Sequence, residues 1–299
     1  MGSLPALTGL GECSGLSPIS GSARVGQGTK WRGVKVSLVR RLAFLFGAAA
    51  AAFGTAVAVL WIALPDPASV ATRNPRTTAV IEQRRAEARA ARRGFHLRQT
   101  WVGIDRISPR LVQAVLVSED AGFYAHGAFD WREVSAAADD SLRTGRAPRG
   151  ASTLTQQLAK NLWLGTNRSA WRKVKEAVLA MKLERKVSKR RILALYLNVA
   201  EWGDGVFGAQ AAARQRFGVA AAELSTAQAA LLAAMLPAPR RADLGHPSRW
   251  LARRSRRVLD RMLQIGRIDA AEHAHASAEL ERHLSGASGD EEPPEDDAG

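Results

Sequence analysis

The sequence holds one cysteine, Cys13, and two tyrosines. A single thiol rules out an internal disulfide framework and supplies no cysteine-based metal cluster. Acids are scarce as well: 28 Asp and Glu against 43 Lys and Arg leave a net charge of +15 over 299 residues. A chain this basic has three ordinary partners, namely nucleic acid, an anionic membrane surface or a phosphate-bearing substrate. The alternation that marks a half-buried strand is missing from residues 100–284, whose Ala/Leu/Arg-rich pattern has a helical period. Bases are absent from residues 285–299, where six acids and two prolines read as a disordered acidic tail. Residues 1–29 are Gly/Ser-rich, lack any period and read as disordered.

Charge of either sign is absent from residues 42–64, "LAFLFGAAAAAFGTAVAVLWIAL". About 20 apolar residues suffice for a helix to cross the hydrocarbon core of a bilayer. The apolar region of a secretory signal is shorter, roughly 7–15 residues, so we read a retained transmembrane anchor. The "ASVA" at 68–71 keeps cleavage as the alternative. Lys30, Arg32, Lys35, Arg40 and Arg41 precede the span, and Pro65-Asp66-Pro67 follows it. Positive flanks stay inside, so residues 1–41 are expected in the cytoplasm and the rest beyond the inner membrane, in the periplasm of a Gram-negative cell. An exported domain does not meet genomic DNA or ATP, which removes nucleic acid from the partners. Residues 65–94 form a basic juxtamembrane segment, read as a solvated helix over 80–93, with contact to anionic lipid as the second reading. Residues 95–284 then make one mostly α domain.

Four stretches of that domain carry chemistry. Ser108-Pro109 is a good helix start, and Leu111, Val112, Val115 and Leu116 give the following helix an apolar stripe. Glu119 continues that stripe in "SEDAGFYAHG". A carboxylate there is partly desolvated and keeps the proton affinity of a working general base, whereas a glutamate at a helix end or paired with an arginine is the plain account. "GASTLTQQLAKN" at 150–161 offers a capping box from Thr153 to Gln156 and an exposed helix start for an anion or a sugar. The Gly/Pro-rich, basic stretch 143–150 before it reads as a mobile flap. "SAWRKVKEAVLAMKLERKVSKRRILALYLN" at 169–198 reads as two helices, with Trp171, Val174 and Val178 on an apolar face and Ser188 capping the second. Glycines 203, 205 and 208 allow close backbone approach before an Ala-rich helix.

Each stretch is ambiguous alone, but their order is not. "EDAGFYAH" (119–126), "GASTLTQQLAKN" (150–161), "RKVKE" (172–176), "KRRILALYLN" (189–198) and "GVFGAQAAARQRFG" (205–218) follow one another as five blocks. Together they resemble the family-51 peptidoglycan glycosyltransferases, in particular the monofunctional biosynthetic ones, over about residues 95–265. Ala128, Arg216, Val219 and Gln228 stand where that family more often has glycine, an aromatic, lysine and glutamate.

The resemblance implies a lysozyme-like, two-lobed, mostly α fold behind an N-terminal transmembrane helix. It implies polymerisation of lipid II into β-1,4-linked glycan, with inversion and release of the lipid pyrophosphate. Glu119 is implied as the base toward the acceptor hydroxyl. Glu176 is implied either to hold a divalent cation, Mg or Mn, or to orient the basic cluster; no organic cofactor is implied. Lys160, Arg168 and Arg172 would offset the leaving charge. Ser152, Thr153, Gln156 and Gln157 would line the donor side, Asp120 would brace its loop, and Phe123, His126, Asn161 and Lys173 complete the implied substrate contacts. The partners are lipid II, the growing strand, membrane lipids and other cell-wall synthesis proteins. A K-T-G transpeptidase block is absent, so glycan synthesis without cross-linking is expected. A lysozyme-like lytic enzyme and a membrane-tethered wall-binding scaffold are the rivals.

Overall fold

A computed structural model describes residues 30–145, 152–167 and 169–285. The chain divides into two units, residues 1–57 and 58–299. The first consists, where described, of helix α1 (Lys30–Ala63), which runs on into the second unit. No residue of the apolar stretch Ala43–Ala63 is fully buried, although Val57, Leu60 and Trp61 toward its outer end are half-buried. Phe44, Phe46 and Phe53 each stand more than two-thirds exposed, as side chains facing lipid rather than a core do. The tail from residue 286 and the segments 1–29 and 146–151 lie outside the described residues, and with them the expected disorder and most of the flap expected over 143–150, whose first two residues close a helix instead.

Helices α2 (Ala68–Thr72) and α3 (Ala79–Ala90) open the second unit. They correct the reading of 65–94 as a separate juxtamembrane segment, since α3 packs into the domain and is not a solvated helix. Val80, Ile81 and Ala88 are buried. Arg84 lies on the same face and reaches the buried Glu201 at 2.9 Å, with Glu87 at 3.0 Å. A cation on the apolar stripe is tolerated because its carboxylate partners enter with it. The α2 helix holds the "ASVA" motif, with Val70 buried, in place of an extended peptide.

The core is helical because its helices present wide apolar faces. In α10 (Thr226–Met235) nine of the ten residues are buried, so it is apolar all round and sits at the centre. It packs against α4 (Pro109–Glu119) and α11 (Arg249–Gln264), and α12 (Ala270–His283) closes that side. Gln228 completes a capping box with Ser225 at the start of α10. An amide does this as well as a carboxylate, so the substitution of the usual glutamate is structurally silent. On the other side α6 (Leu154–Ala159) packs on α7 (Ala170–Lys186) and α8 (Lys189–Val199). The two helices expected over 169–198 are there, and Ser188 caps the second. The apolar face expected on α7 is corrected in part: Val178 is buried, but Trp171 and Val174 are 57% and 44% exposed.

Three strands interrupt the helices: β1 (Arg98–Gln99), β2 (Glu201–Gly203) and β3 (Val206–Phe207), with β3 between a parallel β1 and an antiparallel β2. Strands this short hold no alternation to read. Asn198, the last residue of "LYLN", fixes them. It exchanges hydrogen bonds with Val102 N and O at 3.0 Å, and its carbonyl accepts from the Gln99 amide at 2.8 Å. Gly208, at φ 83°, lies against that carbonyl; a Cβ there would stand 2.7 Å from it, so only glycine fits before α9 (Ala209–Phe217).

Candidate active site

Glu119 is the last residue of α4, which starts as expected with Ser108 as cap and Pro109 in the first turn. Leu111 and Val115 anchor the helix in the core and bring the carboxylate to the wall of a cleft of about 400 Å³. That cleft is also lined by Asp120, Gly122, Asp130, Ser152 and Thr153. The side chain of Glu119 is only 10% exposed. Its Oε1 accepts from Ser118 Oγ at 3.0 Å and Arg254 Nη2 at 2.9 Å, and its Oε2 accepts from Gln157 Nε2 at 3.2 Å. The desolvated carboxylate of the sequence reading is therefore also ion-paired.

Gln157 takes its orientation from below. Its Oε1 accepts from the hydroxyl of Tyr196 at 3.0 Å. Burial pushes the Tyr196 phenol well above its usual range, so it remains a donor. An amide with its oxygen held this way presents its nitrogen to Glu119 in one pose.

Asp120 braces the turn. Its Oδ2 accepts from Leu154 N at 2.9 Å, tying the end of α4 to the start of α6, and its Oδ1 meets His126 Nε2 at 2.7 Å. His126 Nδ1 faces the Gly127 carbonyl at 2.8 Å. With an oxygen acceptor at each nitrogen, the ring is best satisfied doubly protonated. Burial opposes that charge, but the Gly127 carbonyl and Asp120 outweigh it and hold the pKa above the ordinary histidine value. Phe123 is fully buried under this turn, and Lys189 Nζ lies 4.3 Å from its ring centre.

The α6 start has the capping box read from sequence. Thr153 accepts from Gln156 N, and Gln156 Oε1 accepts from Thr153 N. The Thr153 hydroxyl also donates to the Ala128 carbonyl at 3.0 Å. Thr153 and Gln156 are buried, and their polar groups are engaged in the cap. Ser152 Oγ instead faces Lys173 Nζ at 2.7 Å.

After Ala159 the helix widens into a π-turn, Lys160–Leu164, a form found often at functional sites. It carries Lys160 and the half-buried Asn161. Burial depresses the Lys160 ammonium; Glu176 and Glu119 favour its charge, and Arg172 and Lys173 oppose it. All four residues thus share one electrostatic field. Glu176, 2% exposed on α7, divides its oxygens between Arg172 Nη1 at 2.5 Å and Lys173 Nζ at 2.6 Å. Arg172 Nε is buried and has no partner among the described residues, so the guanidinium retains a donor for an anion. Arg168 lies outside the described residues.

Of the two roles implied for Glu176, the geometry favours orienting the cations. Both carboxylate oxygens already face cationic donors, and Lys160 stands close by. Among the described residues no three His, Cys, Asp or Glu side chains gather where they could hold a metal. With both oxygens of Glu176 held by cations, neither is free to ligate a divalent cation.

The sequence reading missed Arg254, Ser118 and Tyr196. Arg254 lies 135 residues from Glu119, on the amphipathic helix α11. Its one sequence signal is an arginine a turn before Val258 on that helix's core side.

Known proteins share this arrangement of sequence. The family model described as Transglycosylase matches residues 86–263. A biosynthetic peptidoglycan transglycosylase of Laribacter hongkongensis is 47% identical over 189 residues, covering 63% of this chain and 83% of its own length. The protein of the same name from Aromatoleum aromaticum is 48% identical over 190 residues, covering 64% and 82%. That of Methylobacillus flagellatus is 42% identical over 232 residues, covering 78% of this chain and 95% of its own.

Proposed function

The chain belongs to the transglycosylase family, and we propose that it is a peptidoglycan glycosyltransferase that polymerises lipid II into β-1,4-linked glycan strands with release of undecaprenyl pyrophosphate. The observation that supports this most directly is a carboxylate, Glu119, on the cleft wall and within electrostatic reach of Lys160, which Arg172 and Lys173 also reach, with Lys173 bonded to Ser152 of the same wall. A glycan-cleaving enzyme needs a carboxylate but has no leaving phosphate for such cations to meet.

In this reading the 4-hydroxyl oxygen of the acceptor sugar attacks the anomeric carbon of the donor from the face opposite the pyrophosphate. The carbon–oxygen bond to the pyrophosphate breaks as the new glycosidic bond forms, which inverts the centre. Glu119 takes the hydroxyl proton. Gln157 and Arg254 hold the carboxylate in place. The pyrophosphate leaves as an anion, and Lys160, Arg172 and Lys173 meet its charge, with Glu176 holding the last two. Cations fixed before the reaction need no reorganisation when charge develops. Arg168 is assigned to the same cluster, and Ser152 to the donor side. The apolar helix anchors the domain in the inner membrane, its catalytic part on the periplasmic side, and so confines enzyme and lipid-linked substrate to one surface.

The test is incubation of the full chain with lipid II, followed by gel separation of products. Polymer is expected from the wild type, and Glu119→Gln should lower the rate by about 10²–10⁴-fold. Equal rates would remove Glu119 from its role. Shortening of preformed sacculi without polymer formation would instead identify the lytic rival.

A further inference from the structure

Lys182 is a buried cation that the reaction does not use. It lies on α7 and is 5% exposed. Its direct partners are two backbone carbonyls, Trp61 O at 3.0 Å and Leu64 O at 2.7 Å. Those oxygens belong to the last turn of the apolar helix, where carbonyls lack intrahelical partners and the helix dipole favours positive charge. The Trp61 ring lies 5.7 Å from Lys182 Nζ and 5.0 Å from the Arg185 guanidinium.

The chain that follows is held by the same elements. Lys186 pairs with Asp66 at 2.6 Å, and Asp66 in turn accepts from Ala68 N at 2.9 Å. From α8, Arg191 donates to the carbonyls of Val70 and Arg73, both at 2.9 Å. Cations of α7 and α8 thus fasten the segment from Trp61 to Arg73.

A slack tether would need none of this, since it raises local concentration whatever its angle. Helix α7 is continuous from Ala170 to Lys186. Its N-terminal half carries Arg172, Lys173 and Glu176, and Lys182 follows Glu176 by about 9 Å at 1.5 Å per residue. One rod holds the leaving-group cations near one end and the end of the anchor near the other.

We propose that Lys182 is a positioning residue that fixes the chain where it leaves the apolar helix, at Trp61–Leu64, to the helix bearing the cation cluster, so that the cleft is held close to the membrane surface and its lipid-embedded substrate. This rests on the lipid II reading of the site.

The full chain, Lys182→Met and Lys182→Arg are compared on lipid II in phosphatidylethanolamine/phosphatidylglycerol vesicles and on the same lipid II dispersed in detergent. Lys182→Met should lose about tenfold in kcat in vesicles, as misplacement remote from the chemistry does, while KM and the detergent rate hold. Lys182→Arg should keep both rates. No loss in vesicles would overturn the proposal. So would an equal loss in both media, because the lysine would then only support the fold. A second arm needs no activity: trypsin should cut after Arg73 and Arg76 about tenfold faster in Lys182→Met, as a released segment allows. Unchanged cleavage would overturn the clamp even if the wild type polymerises. A wild type that makes no polymer would count against the functional reading alone.

Discussion

His126 shows how a single side chain can tie two elements together through its charge. Its ring meets Asp120 on one nitrogen and the Gly127 carbonyl on the other, with Asp130 at 3.8 Å. The Lys189 charge acts against protonation, and burial acts with it. The net effect raises the folded pKa above the unfolded value of about 6.5. Stability from this contact is therefore complete below about pH 6.5 and is lost as pH rises through the folded pKa. Thermal midpoints of the wild type should fall on going alkaline through that window, and those of His126→Gln should lack this component. Parallel curves would show that the imidazolium does not brace Asp120. At this scale the sequence was legible wherever partners are close in the chain. Ser108, Thr153 and Ser188 are caps because each acts on residues two or three positions away. Arg254 was not legible as a partner of Glu119, because contact between them exists only once α4 and α11 have packed together.

Among elements, the π-turn at Lys160–Leu164 depends on a glycine and on α3. Gly165 follows it at φ 74° and ψ −171°, a region that is essentially glycine's alone. The Gln83 side chain of α3 bonds Thr166 twice, receiving Thr166 N at 2.7 Å and donating to its hydroxyl at 2.8 Å. A Cβ on Gly165 would stand 2.6 Å from Gln83 Oε1. Gly165→Ala should therefore cost about 1–3 kcal/mol in backbone strain alone. It should also displace Gln83 and lower lipid II turnover beyond what the lost stability explains. Gly218→Ala is the control, because Gly218 has φ 72° but nothing within 4 Å of the added atom. Urea melts and turnover of the two variants decide it: equal turnover at equal stability would mean that α3 does not support the turn. The docking of α3 was hidden because its composition is basic. Arg84 holds a core-facing position with Glu87 one turn on and with Glu201, 117 residues away, and no local pattern reports the second partner. The helices of 109–119 and 170–199 were readable from caps and period, whereas strands of two or three residues leave no period to read.

For the whole molecule, the apolar span and a single helical domain behind it were plain from sequence. The point where that domain begins was not. The compact unit takes in the outer end of the span from Ala58, and charged side chains of α7 hold Trp61, Leu64 and Asp66 there; polar contacts of that kind carry no hydropathy signal. Within it one large apolar cluster draws on residues from Val70 to Leu284, with a small satellite of Val80, Ile81 and Phe207 beside it. Helices drawing on one core lose their packing together, so the domain should unfold in a single transition. One element stands apart. Helix α5 (Trp131–Thr144) has no buried residue, and its Trp131 and Leu142 are 70% and 85% exposed. Polar contacts hold it, among them the Asp130 cap and the Arg143–Asp140 pair, and a helix of this length is marginal in water without apolar packing. It borders the cleft through Glu133, Ala136 and Ala137. Hydrogen exchange followed by mass spectrometry should find α5 amides exchanging first, by local opening, while α10 amides exchange only with global unfolding. Calorimetry on the same sample should show one transition. Two resolved transitions would mean that the sides of the cleft fold independently. Protection of α5 equal to that of α10 would mean that this cleft wall opens only with the whole domain.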